Sequence, residues 1–334
     1  MCDILFHIQK ISRFERLCYD KDYCYSETKA MKHYQLISFS FALCIIAGMT
    51  LDAWAHVHGA TDNTFFTPWH AILYSGLFGS VAWYGYLTQR QIAPQAAHRL
   101  GLGMGPLVAL FGMADLLWHS WFGFEANIQA QLSPPHIALA VILALLVSIP
   151  SRQHNQQGYL TWLGAIAGSM AAVVILTLLM FVSPITAVYA ELYSGDTVVG
   201  LGVSGFLIFV STWLIVFQWM RRNNAPFGAF TVASGVLGVS QAISKGEWRF
   251  VALLIFVGLI AELVGRKTGP TSRVATMLWP GSFALGYFLL LKYTSTLAWG
   301  PSVWGGVVVM AVAIGFGIAT FAEPTTQLTR EERI

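Results

Sequence analysis

Charge is scarce in this sequence. Asp, Glu, Lys and Arg together make up 10% of its 334 residues, where soluble domains carry about a quarter, and that excludes an ordinary soluble fold. Aromatic residues reach 14%, which excludes a disordered chain, because disorder goes with few aromatics and much charge. Neither sign of charge is in excess: the formal net charge is +3, too small for a nucleic-acid surface. Cysteine is nearly missing. Cys2, Cys18 and Cys24 fall in the first 30 residues and Cys44 in an apolar run, with no CxxC or zinc spacing to demand a disulfide or a thiolate site. HExxH and GxSxG are absent too, and with them the zinc-peptidase and serine-hydrolase signatures.

Apolar residues are abundant. They form 56% of the chain, with 12 Trp, 12 Tyr, 22 Phe and 31 Gly, the composition of an all-α, polytopic helical membrane protein with aromatic belts at the two interfaces. A hydrocarbon layer roughly 30 Å thick takes about 20 apolar residues per crossing. Runs of that kind lie near 35–55, 69–88, 100–121, 135–151, 158–182, 198–220, 226–243, 248–265, 274–293 and 302–322, which predicts ten spans, or nine if the seventh, short and rich in Gly and Ser, does not cross. Residues 1–30 are polar, lack such a run and have no signal-peptide pattern. They are read as a tail ahead of a natural start at Met31.

Basic residues orient the chain. With the N-terminus inside, Lys29, Lys32, Arg90, Arg99, Arg152, Arg221, Arg222, Arg266, Lys267, Arg273, Arg330 and Arg333 are cytoplasmic, and only Lys245, Arg249 and Lys292 face outward. The prediction is N-in and C-in, in a bacterial inner membrane. Histidines and acidic residues sort the other way and gather at the outer ends of the first four spans. An ionisable group within a span is costly and marks function by default.

Two segments there line up. Asp52-AWA-His56-VHGAT-Asp62 is followed by Thr67-Pro68-Trp69-His70, and Asp115-LLW-His119-SWFGF-Glu125 by Ser133-Pro134-Pro135-His136. Each reads D-x3-H-x5-D/E, then a loop, then T/S-P-x-H, so spans one–two and three–four form a parallel internal repeat. Residues 31–151 then make a duplicated two-helix module, and 152–334 a C-terminal helical bundle. Asp and His four apart share one helix face. Thr67 and Ser133 suit an N-cap and the prolines after them the first helical position, which sets His70 and His136 in the first turn of the returning helices. Asp52, His56 and His70 should therefore converge, and Asp115, His119 and His136 likewise. Two imidazoles and a carboxylate make a metal-ligand set. The competing reading is that these groups cap or hydrogen-bond at helix ends, but an Asp at a helix C-terminus opposes the macrodipole. His58, Asp62 and Glu125 lie in the loops and are accessory at most. A single-span bis-histidine haem site is disfavoured, because Gly59, Asp62, Asn63 and Pro68 break the helix between His56 and His70.

The order and spacing of these residues resemble the copper-bearing C subunit of the particulate methane and ammonia monooxygenases, over roughly residues 35–140. In that family two copper sites lie near the periplasmic face, one of Asp, His and His, the other of Asn, His and His. The resemblance implies that Asp52, His56 and His70 match the first set. Asp115, His119 and His136 match the second, with Asp in the place of Asn. This chain departs from the family in its longer second loop, in having no cupredoxin-like domain and in its later spans.

The expectation is a membrane metalloenzyme holding one or two copper ions, with zinc or iron as alternatives, that uses O2 to oxidise a small apolar substrate arriving from the lipid bilayer. Trp54, Phe65, Phe66, Trp69, Trp118, Trp121, Phe122 and Phe124 would wall the site, or form an interface belt. Additional subunits or a homo-oligomer would complete it. A zinc hydrolase with Asp115 or Glu125 as base is the second reading. A transporter or metal-handling protein without chemistry ranks third, since few polar groups lie at mid-membrane depth. Glu191, Asp196 and Glu247 are ordinary loop residues, and Glu262 is expected to pair with Arg266 on its own helix.

Overall fold

The computed structural model describes residues 21–60, 67–122, 132–152, 159–192, 195–269 and 272–321. Within them the chain is helical, without a strand. The helices are α1 Lys21–Val57, α2 Pro68–Gln89, α3 Gln95–Phe122, α4 Pro134–Ser148, α5 Trp162–Leu178, the short α6 Tyr189–Leu192, α7 Asp196–Arg222, α8 Ala229–Lys245, α9 Arg249–Thr268, α10 Arg273–Thr294 and α11 Pro301–Phe321. Among the described residues, each of the ten apolar runs overlaps one of the ten long helices. Six of these (α1, α3, α4 with its 3-10 extension, α7, α10 and α11) are long and apolar enough by themselves to cross a membrane. α1 begins ten residues inside the segment read as a tail.

Local chemistry accounts for the helix ends. Thr67, Thr161 and Ser272 accept from the backbone N–H three residues on, at 3.3, 2.9 and 3.5 Å, the side-chain N-cap arrangement. Gly246 closes α8 at φ 80°, a left-handed position that suits glycine. Pro106 and Pro280 stand inside α3 and α10, as membrane helices tolerate.

α1 to α4 pack in sequence, with α4 returning against α1, and α5 touches α1, α4, α7 and α8. Small residues let α5 lie close: Ala165, Ala167 and Ser169 are fully buried, and Gly168 faces the Trp219 ring. Between α7, α8 and α10 the core is aromatic, with Phe206, Phe209, Trp213, Phe230, Trp279, Phe283 and Tyr287 in mutual ring contact. Lipid tails are as apolar as these side chains, so the hydrophobic effect gives helix association little. Dispersion and ring geometry carry it, at about 0.5–1.5 kcal/mol per aromatic pair. Two of these rings have their polar atoms bonded: Trp213 Nε1 donates to Ser234 Oγ at 3.0 Å and Tyr287 Oη to the Pro184 carbonyl at 2.8 Å, whereas the buried Trp279 Nε1 has no hydrogen-bond partner among the described residues.

The outer surface is apolar as well. Leu102, Leu110, Met113, Leu117 and Trp121 form an exposed stripe along α3, which in water would be an aggregation liability. These are the features of a helical membrane protein.

Glu262 does not pair with Arg266. Its Oε1 accepts from the N–H groups of Gly228 and Phe230 at 3.0 and 3.2 Å, and its Oε2 from Thr231 N at 3.2 Å and from the Thr231 hydroxyl. The carboxylate thus serves the open N-terminus of α8, where a negative charge is favoured, and Arg266 lies over the Phe227 ring at 4.5 Å. Glu191 and Glu247 are both bound by Arg249, at 2.6 and 2.9 Å.

Candidate metal centre

The site is assembled at one end of the α1–α4 bundle. Asp52 and His56 occupy the last turns of α1, and Gly59 at φ 66° ends the helix. α2 then starts at Pro68 behind the Thr67 cap, which sets His70 in its first turn. Two glycines draw these helices together. A Cβ on Gly48 would collide with the Leu73 backbone, and one on Gly76 would come within 2.8 Å of Ile45 N. That close approach is what small residues at membrane helix interfaces provide. It brings the His70 Nε2 to 3.2 Å from Asp52 Oδ1, with His56 Nε2 at 3.8 Å from the same oxygen. That oxygen is buried and stands nearer to His70 than to His56.

Asp115 and His119 sit in the same way near the end of α3, and Pro134 opens α4 so that His136 enters from its first turn. Here the two rings address different carboxylate oxygens. His136 Nδ1 hydrogen-bonds Asp115 Oδ1 at 3.1 Å, and His119 Nε2 stands 3.7 Å from Asp115 Oδ2. The rings meet edge-on, with centroids 6.2 Å apart. Among the described residues this set alone gathers three ligand atoms within 4.8 Å of one another. Its Asp115 and His119 side chains are 7% and 9% exposed against 17% and 31% for Asp52 and His56, whereas His136 at 33% is more open than His70 at 22%.

The sets are neighbours. Asp52 interacts electrostatically with His136, and His56 with both His119 and His136. Tyr74, one turn beyond His70 and stacked on its ring at 5.9 Å, senses both Asp52 and Asp115. Tyr74 was not singled out from the sequence, although its i+4 spacing from His70 puts it on the same face. Thr50 and Ser240 hydrogen-bond at 2.8 Å between α1 and α8 and brace the end of α1 just before Asp52.

The remaining candidates separate. His58 is exposed, its Nδ1 bonded at 2.9 Å to the Trp54 carbonyl of its own helix and its ring stacked on Trp54. Asp62, Glu125, Phe65, Phe66 and Phe124 lie outside the described residues. Trp121 and Phe122 point away from the protein, as a belt would, whereas Trp118 is partly buried beside His119. The residues present fit a metal ion: the set offers two imidazole nitrogens and a carboxylate oxygen within 4.8 Å of one another, the donor types that zinc and copper take. Trp118 Nε1 and Ser133 Oγ, next to His119 and three residues before His136 in the chain, are buried without a hydrogen-bond partner among the described residues, as are several polar atoms away from the site. Imidazole nitrogen with carboxylate oxygen and no thiolate suits copper, zinc or iron.

No family model, curated protein or solved structure matches the chain.

Proposed function

We propose that this chain is a ten-span membrane protein, N-in and C-in, whose duplicated helix pairs α1–α2 and α3–α4 hold copper at the outer face of a bacterial inner membrane. There it oxidises a small apolar substrate with O2. The observation that carries this reading is the convergence of Asp115, His119 and His136 within 4.8 Å, beside a second Asp–His–His set of the same order and nearly the same spacing. Asp115, His119 and His136 would hold one ion, and Asp52, His56 and His70 a second. Bound copper would supply one-electron chemistry with O2. The protein's part is to fix two imidazoles per set against one carboxylate, and Asp115 does this by accepting from His136. Asp115 and His119 are held in the buried part of the set, 7% and 9% exposed. A substrate dissolved in the bilayer would meet the apolar stripe Leu102, Leu110, Met113, Leu117 and Trp121 on α3.

Three protein donors with a position left open is also the arrangement of a catalytic zinc, which makes a zinc-dependent hydrolase the second reading. Metal analysis of protein purified in nanodiscs, with O2 uptake in the presence of a reductant and apolar substrates, tests both. Copper retained by the wild type, with His56→Ala and His136→Ala each losing part of it, is the expected result. Zinc in its place, with no O2 uptake, would transfer the proposal to hydrolysis. Absence of any bound metal, with both variants folding as the wild type does, would reject a metal centre.

A further inference from the structure

A second polar site lies at the far end of the bundle. The Thr50–Ser240 bond ties the Asp–His–His end of α1 to the C-terminal part of α8. The N-terminus of α8 is some 18 Å away, at ~1.5 Å per residue. There a pocket of about 250 Å3 opens between the ends of α7 and α9. Phe217, Met220 and Phe230 form its apolar floor, and Arg221, Arg266 and Asn224 its polar rim.

The charges in this pocket do not balance. Arg221 is half-buried and gives three of its five N–H donors to neutral acceptors, the Gly269 and Ser272 carbonyls and the Thr276 hydroxyl. Arg266 rests on the Phe227 ring and forms no ion pair among the described residues. Glu262 lines the same pocket, but both its oxygens are taken by the start of α8. Two guanidinium groups therefore line a half-enclosed space whose one carboxylate is committed to α8; Arg221 is drawn partly out of water, where a charge is costly unless it is paired, and Arg266 stands exposed at the rim. A guanidinium fork matches phosphate oxygens better than any other anion donor pattern in proteins.

The geometry points to a phosphate-binding site between Arg221 and Arg266, seated over an apolar floor that accepts the first carbons of an attached chain. In the orientation proposed above, this end meets the cytoplasmic leaflet, where basic pockets between membrane helices bind anionic headgroups. The site does not depend on the metal reading: it uses other helices and other residues.

The test is thermal unfolding and native mass spectrometry of the full chain in neutral detergent, with phosphatidylglycerol, phosphatidylcholine or inorganic phosphate added. Phosphatidylglycerol should be retained and should raise the unfolding temperature above the phosphatidylcholine value. Arg266→Gln should weaken that binding about tenfold, the loss of one charge-assisted contact, and Arg266→Lys should restore part of it. Arg266 is exposed, so the Gln variant should unfold like the wild type without lipid. Stabilisation by inorganic phosphate alone, also lost in Arg266→Gln, would support the site and assign it to a soluble phosphate compound. Equal responses to the two lipids with none to phosphate, or a Gln variant that binds like the wild type, would overturn it.

Discussion

Replacing Asp115 with Asn removes one charge and almost no volume, so it separates a metal ligand from a structural hydrogen bond. Asp115 Oδ1 accepts from His136 at 3.1 Å, and Oδ2 faces His119 at 3.7 Å. Asn keeps the first acceptor and turns the second into an N–H donor, which cannot ligate an ion. Without metal the loss is the difference between a charge-assisted and a neutral hydrogen bond, about 1 kcal/mol. With metal the loss is larger. Changes in groups that merely support a ligand weaken binding about 10- to 100-fold, and the loss of an anionic ligand should cost at least the upper figure. At a metal concentration 100 times the wild-type Kd, the ion stabilises the wild type by about 2.7 kcal/mol and a 100-fold weaker variant by only about 0.4 kcal/mol. Thermal unfolding in detergent, run with copper and with chelator, reads both quantities. An equal metal-induced shift in wild type and Asp115→Asn would refute the ligand role. So would a variant that costs the same with and without metal.

Other consequences follow from the same contacts. Gly48→Val should force α1 and α2 apart, costing about 1–3 kcal/mol; metal content should then fall at the Asp52 set while His136→Ala still removes the remainder. His58→Ala should leave metal content and stability unchanged, because the ring is exposed and bonded only within its own turn; a loss of metal would promote it to a ligand. Glu262→Gln should destabilise by about 2 kcal/mol, the range for hydrogen bonds to a charged group, and Arg266→Ala by no more than about 1 kcal/mol, the exposed cation–π contact alone. Equal costs in unfolding measurements would revive the Glu262–Arg266 pair. Acidification should release the metal, since ions and protons compete for the same imidazole nitrogens, and metal content after dialysis over a pH series checks this.

Much of the site was legible because its rules are local. An Asp and a His four apart share a helix face wherever that helix packs, and Thr or Ser followed by Pro announces the next helix start, which fixes His70 and His136 in their first turns. The Thr67 cap is as expected. Ser133 occupies the N-cap position but makes no cap hydrogen bond, since the extended backbone at 133 suffices to begin a helix that Pro134 favours. Glu262 shows where local rules end. Arg266 lies one turn away on α9, yet the carboxylate turns to three backbone N–H groups from another helix, because a helix N-terminus offers several oriented donors and an exposed i,i+4 pair is worth only about 0.3–0.5 kcal/mol.

From the sequence alone come the all-helical character, the ten apolar runs and the composition of each Asp–His–His set, because hydrophobicity and helical spacing depend on neighbours along the chain. Tertiary packing alone decided that the two sets stand close enough to sense each other, that Tyr74 lies by both carboxylates, that the Asp115 set is the tighter one, and that Arg221 and Arg266 share a pocket. Those outcomes depend on how near two helices come, and that distance is set by groups remote in sequence, such as Gly48 against Leu73 and Thr50 against Ser240.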